Sequence, residues 1–406
     1  MKDEKILTVS PSVQWIGVLD KDIVTFDVVM ETKYGTTYNS YFINAEKKAI
    51  IDTVKEKFSD IFIEKLRRVT DPASIEYIIL NHTEPDHSGS LGQLLKIAPN
   101  AKVVATGNAV RYLKDLMYQD FPNIVVKDGY TLDLGNMTLQ FISAPNLHWP
   151  DTMYTYLAEE KVLFTCDSFG AHFCHTNMFD DQVGDFDEAF KYYFDVILKP
   201  FSKFMLKAVD RVNSLDIHLI APGHGPILRS DWKKYVSLTS KWAREHIDLP
   251  IRHQVYIPYV SAYHKTGLIA EKIAEGIRQA GDFHVEVCDI EMTPIGELDQ
   301  KVAQSAAIIV GSTTINQNIM LPVYKLFSVI NPLRDKGKLA GGFGSYGWSG
   351  ESRDLIRTNL EHLKLKYFGD GVFVKFSPDE EEQAMAVAYG RALGEALLVN
   401  QPESTD

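Results

Sequence analysis

Four side chains able to ligate a metal are crowded into six residues, His82-Thr83-Glu84-Pro85-Asp86-His87. The block follows the apolar run EYIIL and precedes Ser88-Gly89, where a helix can start, so it reads as a strand-to-helix loop. Three more candidates occupy equivalent places: His148 after TLQFISA, Asp167 after VLFTC, and His224 in the turn APGHG after HLIAP. Side chains at the carboxyl ends of strands converge on one crevice, so loops distant in sequence can build one site. A single loop histidine or aspartate is more often solvated or satisfied by its neighbours. Three carboxylates and four imidazoles pressed together would instead repel and desolvate one another unless cations neutralise them. Imidazole and carboxylate donors without thiolate suit non-haem iron, manganese or zinc, and a bridging carboxylate favours a pair of ions roughly 3.5–4 Å apart.

A second constellation lies in three later loops, each directly after an expected strand. The first, SAYHKTG at 261–267, offers Ser261, Tyr263 and Thr266 hydroxyls with the backbone of His264, Lys265 and Gly267 at a helix start, a ready phosphate site. The second, GSTTINQN at 311–318, is small and polar. Its Ser312, Thr313, Thr314, Asn316, Gln317 and Asn318 could wrap one edge of an isoalloxazine ring. In the third, GSYGWSGE at 344–351, Gly344, Gly347 and Gly350 allow backbone to approach a ring, Ser345 and Ser349 add hydroxyls, and Tyr346 or Trp348 can stack on its face. A GxGxxG fingerprint followed by an acidic residue is absent, so direct NAD binding through such a site is not indicated.

The elements that must position these residues read as two kinds of fold. Strands are expected at 38–43, 48–54, 74–80, 102–106, 138–144 and 218–222, with helical stretches at 57–68, 88–97 and 185–213. That mixture suggests a layered αβ domain with an antiparallel portion, over residues 1–249. From Gln254 strand and helix alternate through QVYIPYV, AAIIVG, KLAGGFG and GVFVKF, which predicts a doubly wound parallel sheet over 250–406. His218 reads as a strand residue, and His246, His253, His284 and His362 as surface residues by default.

Composition agrees. A chain of 406 residues is long for one core. With 42 basic and 54 acidic residues the formal charge is −12, which repels nucleic acid and anionic membrane surfaces. The N-terminus lacks a secretory pattern and no apolar stretch is long enough to span a bilayer, so a cytoplasmic protein is expected. Three scattered cysteines, Cys166, Cys174 and Cys288, fit neither a disulfide framework nor a fused iron–sulfur or rubredoxin module. Electrons must then arrive from elsewhere.

Together NHTEPDHSG, NLHWPD, CDSFGAH and APGHG resemble the metallo-β-lactamase superfamily, and particularly its flavodiiron branch. Glu84 stands where the hydrolases of that superfamily carry a histidine, and a carboxylate there makes the site harder and favours iron. The three later loops resemble the FMN site of flavodoxins, with His264 where glycine is usual. The resemblance implies a metallo-β-lactamase-like αββα sandwich followed by a flavodoxin-like domain, the two-domain class. It implies that His82, Glu84 and His148 hold one iron, that Asp86, His87 and His224 hold the other, and that Asp167 bridges them. His172, in the pattern Asp-x-Phe-Gly-x-His, is then either a donor that orients bound oxygen species or an ordinary loop histidine. The implied activity is reduction of dioxygen to water, nitric oxide to nitrous oxide, or both. The implied partners are a second copy in a head-to-tail homodimer, or a dimer of dimers, and an external donor such as rubredoxin or reduced deazaflavin coenzyme. The rival readings are a metal-dependent hydrolase, disfavoured by Glu84 and the second domain, and a plain electron carrier, disfavoured by the complete ligand set.

Overall fold

The computed structural model describes residues 5–26, 30–248 and 253–399. The chain divides into two compact units, Met1–Ile247 and Asp248–Asp406. The boundary expected at 249–250 lies outside the described residues.

In the first unit two sheets stack face to face. The larger has seven strands, in the spatial order Leu7–Ser10, Val13–Trp15, Tyr41–Ile43, Lys48–Ile51, Ile75–Ile79, Lys102–Thr106 and Asn123–Val126. The smaller has five: Thr131–Asp133, Thr138–Ser143, Met153–Leu157, Val162–Cys166 and Leu219–Pro222. The period-two geometry of a strand divides adjacent apolar residues between layers. Ile51, Ile79 and Val104 meet Phe141, Phe164 and Ala221 between the sheets, while Ile50, Ile78 and Val103 face the outer layer with Phe62, Leu66, Leu94 and Leu113. Burial on both faces is why these strands read as continuous apolar runs. The sandwich expected for this unit is present.

Two elements differ from expectation. The run 38–43 is not one strand: it splits into Thr36–Tyr38 and Tyr41–Ile43, which belong to different sheets. Asn39 marks the break, since its amide donates to Pro222 O and Gly225 O and its oxygen accepts from Trp15 Nε1. The long helix at 185–213 is interrupted between Asp187–Tyr193 and Ser202–Asn213 by a π turn, Phe194–Leu198, and a 3-10 turn, Lys199–Phe201. Pro200, which lacks an N–H, sits in that interruption.

The second unit is a parallel sheet in the order His284–Asp289, Gln254–Val260, Ala307–Ser312 and Leu339–Tyr346, with Lys366–Tyr367 and Val372–Lys375 both pairing to the last of these. His284–Asp289 and Lys366–Tyr367 were not anticipated. The first, HVEVCD, has only two aliphatic residues and lies at the sheet edge, and the second is just two residues long, so neither gives the continuous apolar run of the central strands. The strand order reverses beside Gln254–Val260, and the loops leaving it and Ala307–Ser312 open into the crevice where doubly wound folds bind ligands. On one face the helices Lys265–Ala280 and Glu380–Val399 cross closely. A Cβ on Gly276 would stand 2.0 Å from Val387 O, so only glycine fits there. Among the described residues no helix is long and apolar enough to cross a membrane.

Candidate functional site

The His82–His87 loop is fastened at both ends. Asn81 N–H donates to Asp52 Oδ1 at 2.7 Å, and Thr53 N–H and hydroxyl both donate to His87 O at 2.7 Å. Glu84 precedes the one-turn helix Pro85–Ser88, with proline at its first position, where no N–H is needed. Thus Glu84 lies outside the helix and Asp86 and His87 lie inside it. Next to His224, Gly223 is required by contact, because a Cβ there would stand 2.7 Å from His87 Cε1.

All seven residues expected to ligate metal come together, in two sets. In the first, Glu84 Oε2 is 3.2 Å from His82 Nε2 and 2.9 Å from His148 Nε2. In the second, Asp86 Oδ2 is 3.0 Å from His224 Nε2 and 3.4 Å from His87 Nε2. Asp167 lies between them and divides its oxygens. Oδ2 faces His82 and His148 at 3.6 and 3.8 Å, and Oδ1 faces His87 and His224 at 3.1 and 3.5 Å.

The hydrogen bonds show what the cluster lacks. His224 Nδ1 donates to Thr37 O at 2.6 Å, so in the neutral ring Nε2 presents a lone pair to Asp86. Both Asp86 oxygens and Asp167 Oδ2 are buried with no hydrogen bond. Two lone pairs this close, away from water, need a proton or a cation between them. Burial opposes the charge on His82, yet hydrogen bonds to Asp151 and Glu84 raise its pKa well above the ordinary histidine value. Burial likewise opposes ionisation of Glu84 and Asp167, but the facing histidines pull both below the usual carboxylate range. Metal ions would displace those protons. The donor set therefore fits two hard or borderline cations.

Two contributors were not anticipated. Asp151, inside the quoted NLHWPD motif, accepts from His82 Nδ1 at 3.1 Å and from Thr83 N and Oγ1 at 2.8 and 2.7 Å, which fixes the ring with Nε2 toward the cluster. Tyr193 donates its phenol to Asp167 Oδ1 at 3.0 Å from the end of the helix that the π turn interrupts. Nothing in the sequence near Tyr193 signals this. His172 stands outside both ligand sets. It is buried, with Nδ1 2.9 Å from Thr36 Oγ1 and Nε2 unpartnered, and its ring packs against Tyr193 and Phe26 at 4.8 and 4.4 Å. Burial and then His224 push its pKa well below the ordinary value, so it is neutral. His246 and His253, expected on the surface, are half-buried.

In the second unit the three expected loops meet around Thr266. Its buried hydroxyl lies 3.1 Å from Thr313 Oγ1 and 2.9 Å from Ser345 Oγ, and Thr314 N–H donates to Ser345 O at 3.0 Å. Ser261 Oγ and Ser349 Oγ are buried without a partner, which suits a polar ligand in the crevice. His264 adopts φ +61° itself, so the left-handed residue ahead of the helix is kept without glycine. Asn316 and Gln317 form an exposed left-handed turn, and Asn318 Oδ1 is already occupied by Ile319 N and Tyr324 OH. Gly344 does not face the crevice but packs on Ser312 O. Tyr346 is half-buried against Gly350, whereas Trp348 is 83% exposed and Tyr263 79%.

Comparison with known proteins agrees with both halves. Residues 36–225 match the model of the ODP family beta lactamase, and residues 257–390 match flavodoxin. A flavo-diiron protein of Clostridium acetobutylicum is 39% identical over 393 residues, covering 94% of this chain and 97% of its own. A nitric oxide reductase of Moorella thermoacetica is 33% identical over 398 residues, covering 95% and 98%. Among solved structures, rubredoxin oxygen:oxidoreductase from Desulfovibrio gigas superposes with a TM-score of 0.75 at 29% identity, covering 97% of this chain and 99% of that one. On sequence, fold and site, the chain belongs to the flavodiiron proteins.

Proposed function

We propose that this chain is an oxidoreductase that reduces dioxygen to water, nitric oxide to nitrous oxide, or both, at a non-haem diiron centre fed by FMN. The observation that carries the reading is the pair of ligand sets divided by Asp167, with Glu84 in the first set. When bound, the irons would supply one-electron redox chemistry, and FMN would store two electrons that it can release singly. His82, Glu84 and His148 would hold one ion and Asp86, His87 and His224 the other, with Asp167 between the two sets. Asp151 keeps the His82 proton on Nδ1, and Tyr193 steadies Asp167. His172, neutral and with an unpartnered Nε2 beside Tyr193 and His224, would be the side chain placed to orient a polar species entering the site. The loops at 261–267, 312–318 and 345–350 hold FMN, its phosphate at the start of Lys265–Ala280.

In this reading residues 1–249 form the diiron domain and 250–406 the FMN domain. A head-to-tail homodimer would bring the FMN of one chain to the irons of the other. An external donor, rubredoxin or reduced deazaflavin coenzyme, supplies the electrons; the name of the Desulfovibrio gigas relative supports the first. The free cysteines are in keeping with a cytoplasmic protein. A metallo-β-lactamase-type hydrolase is disfavoured by Glu84 and by the flavodoxin-like unit. The test is iron and FMN analysis of the purified protein, followed by anaerobic stopped-flow mixing of the reduced enzyme with each gas. Zinc in place of iron, or flavin that is not reoxidised by either gas, would refute the proposal.

A further inference from the structure

Two aromatic rings clasp the third flavin loop, and one of them comes from a fourth loop. Val372–Lys375 pairs in parallel with Leu339–Tyr346, with Ser345 opposite Val374 and Tyr346 opposite Lys375. Both strands therefore leave the sheet at the same end, the one at which doubly wound folds bind ligands. Phe376 continues the pairing by one residue, its N–H donating to Tyr346 O at 2.7 Å, and then turns with φ +60°. That left-handed backbone costs a bulky residue energy and suits glycine. What phenylalanine adds is the ring. It lies on Gly347, where an added Cβ would stand 3.3 Å from Cε1 and 3.8 Å from Cζ. The Tyr346 ring covers Gly350 in the same way, with Cδ1 and Cε1 each 3.2 Å from an added Cβ. Trp348 and Ser349 form the loop tip between the two covered glycines.

The fourth loop is itself anchored. Gln383 Nε2 donates to Pro378 O at 3.2 Å, and Asp379 and Glu382 cap each other, Glu382 N to Asp379 Oδ1 at 2.8 Å and Asp379 N to Glu382 Oε2 at 3.1 Å. They start Glu380–Val399, whose Gly390 packs on Lys265–Ala280 so closely that an added Cβ would stand 2.1 Å from Ile273 O. The phosphate end of the crevice and the loop of Phe376 thus share one scaffold. A loop held in its bound shape before the ligand arrives loses less freedom on binding. We propose that Phe376 is a positioning residue for FMN: its ring holds Gly347 and so fixes the loop tip that presents Trp348 and Ser349 to the flavin. This rests on the FMN reading above. It adds a fourth loop to the three that hold the cofactor.

The test is titration of the full chain, stripped of flavin, with FMN, followed by quenching of flavin fluorescence and by visible circular dichroism of the loaded protein. Phe376→Gly removes the ring and relieves the backbone, so FMN should bind about tenfold more weakly, the scale of ordering one or two side chains at a binding site. The dichroism bands of the flavin should change with it, and Phe376→Tyr should restore both. Phe376→Leu should show an intermediate loss, and it carries the test if the glycine variant does not fold. In a Trp348→Ala background the loss from Phe376→Gly should shrink, because the two residues act through one loop. Parent-like affinity and dichroism in Phe376→Gly, or a loss that tyrosine does not restore, would overturn the inference while leaving the FMN reading intact. Loss of dimer with FMN affinity unchanged would also overturn it and assign Phe376 to a contact between copies. A parent chain that takes up no FMN would overturn the reading, and the inference with it.

Discussion

Asp151 stands outside both ligand sets, yet it decides which nitrogen of His82 faces Glu84 and Asp167. Its carboxylate collects three donors from His82 and Thr83 and leaves Oδ1 buried without a bond. Asp151→Ala should therefore weaken metal retention by about 10- to 100-fold, as loss of an outer partner typically does. Iron content after dialysis against chelator measures it; retention equal to that of the parent protein would show that His82 needs no such brace. Glu84 tests the identity of the metal at the same scale. It supplies one carboxylate oxygen to two histidines, and burial is outweighed by those histidines in keeping it ionised. Glu84→His removes an anionic, hard donor. It should lower iron occupancy or gas reduction while FMN content stays unchanged, and full iron content with full turnover would remove Glu84 from the account.

The elements show where stability is invested. In the second unit the short helix Pro332–Asp335 carries Asp335, fully buried, under a fork from Arg334 (Nε 3.0 Å, Nη2 2.8 Å) and beside Lys338 Nζ at 2.8 Å. Asn331 N–H donates to it at 2.9 Å, and Arg334 reaches Asp299 at 2.8 Å. Burial raises the cost of the charge, but Arg334 and Lys338 hold the Asp335 carboxyl below the usual carboxylate range. A folded pKa below the unfolded value stabilises the fold above about pH 4, and the contribution disappears as pH falls through the lower folded value. Asp335→Asn should lower stability near pH 7 by about 3 kcal/mol, the low end for breaking a buried pair, since Arg334 keeps Asp299. The gap in urea midpoint between the two proteins should stay full above about pH 5 and narrow as pH falls below about 4 toward the lower folded value. A gap that persists unchanged at pH 3 would mean the carboxylate charge is not what stabilises this turn.

At the scale of the whole molecule the expectation is cooperation between copies. If FMN of one chain serves the irons of its partner, two chains damaged at different sites should complement each other. One chain carries His82→Ala with His224→Ala; the other carries Thr266→Glu, placed in the hydroxyl cluster to repel the FMN phosphate. Each homodimer should be inactive. The mixed dimer unites intact irons with intact FMN once, so about half the parent activity should return. A mixed dimer that binds both cofactors yet reduces neither gas would place electron transfer within a single chain.

Much of this site was legible before any coordinates, because its ligands are local. His82 to His87, His148, Asp167 and His224 all lie in the loops that directly follow the strands ending at Ile79, Ser143, Cys166 and Pro222, and strands announce themselves through short apolar runs. The doubly wound half was legible for the same reason, apart from its polar edge strands. Tertiary structure alone decided which oxygen of Asp167 faces which set, and that 38–43 bends into two strands. It also supplied Asp151 and Tyr193, which lie 69 and 26 residues from the side chains they hold. Contacts across such separations depend on how sheets stack and helices break, and no local periodicity encodes them.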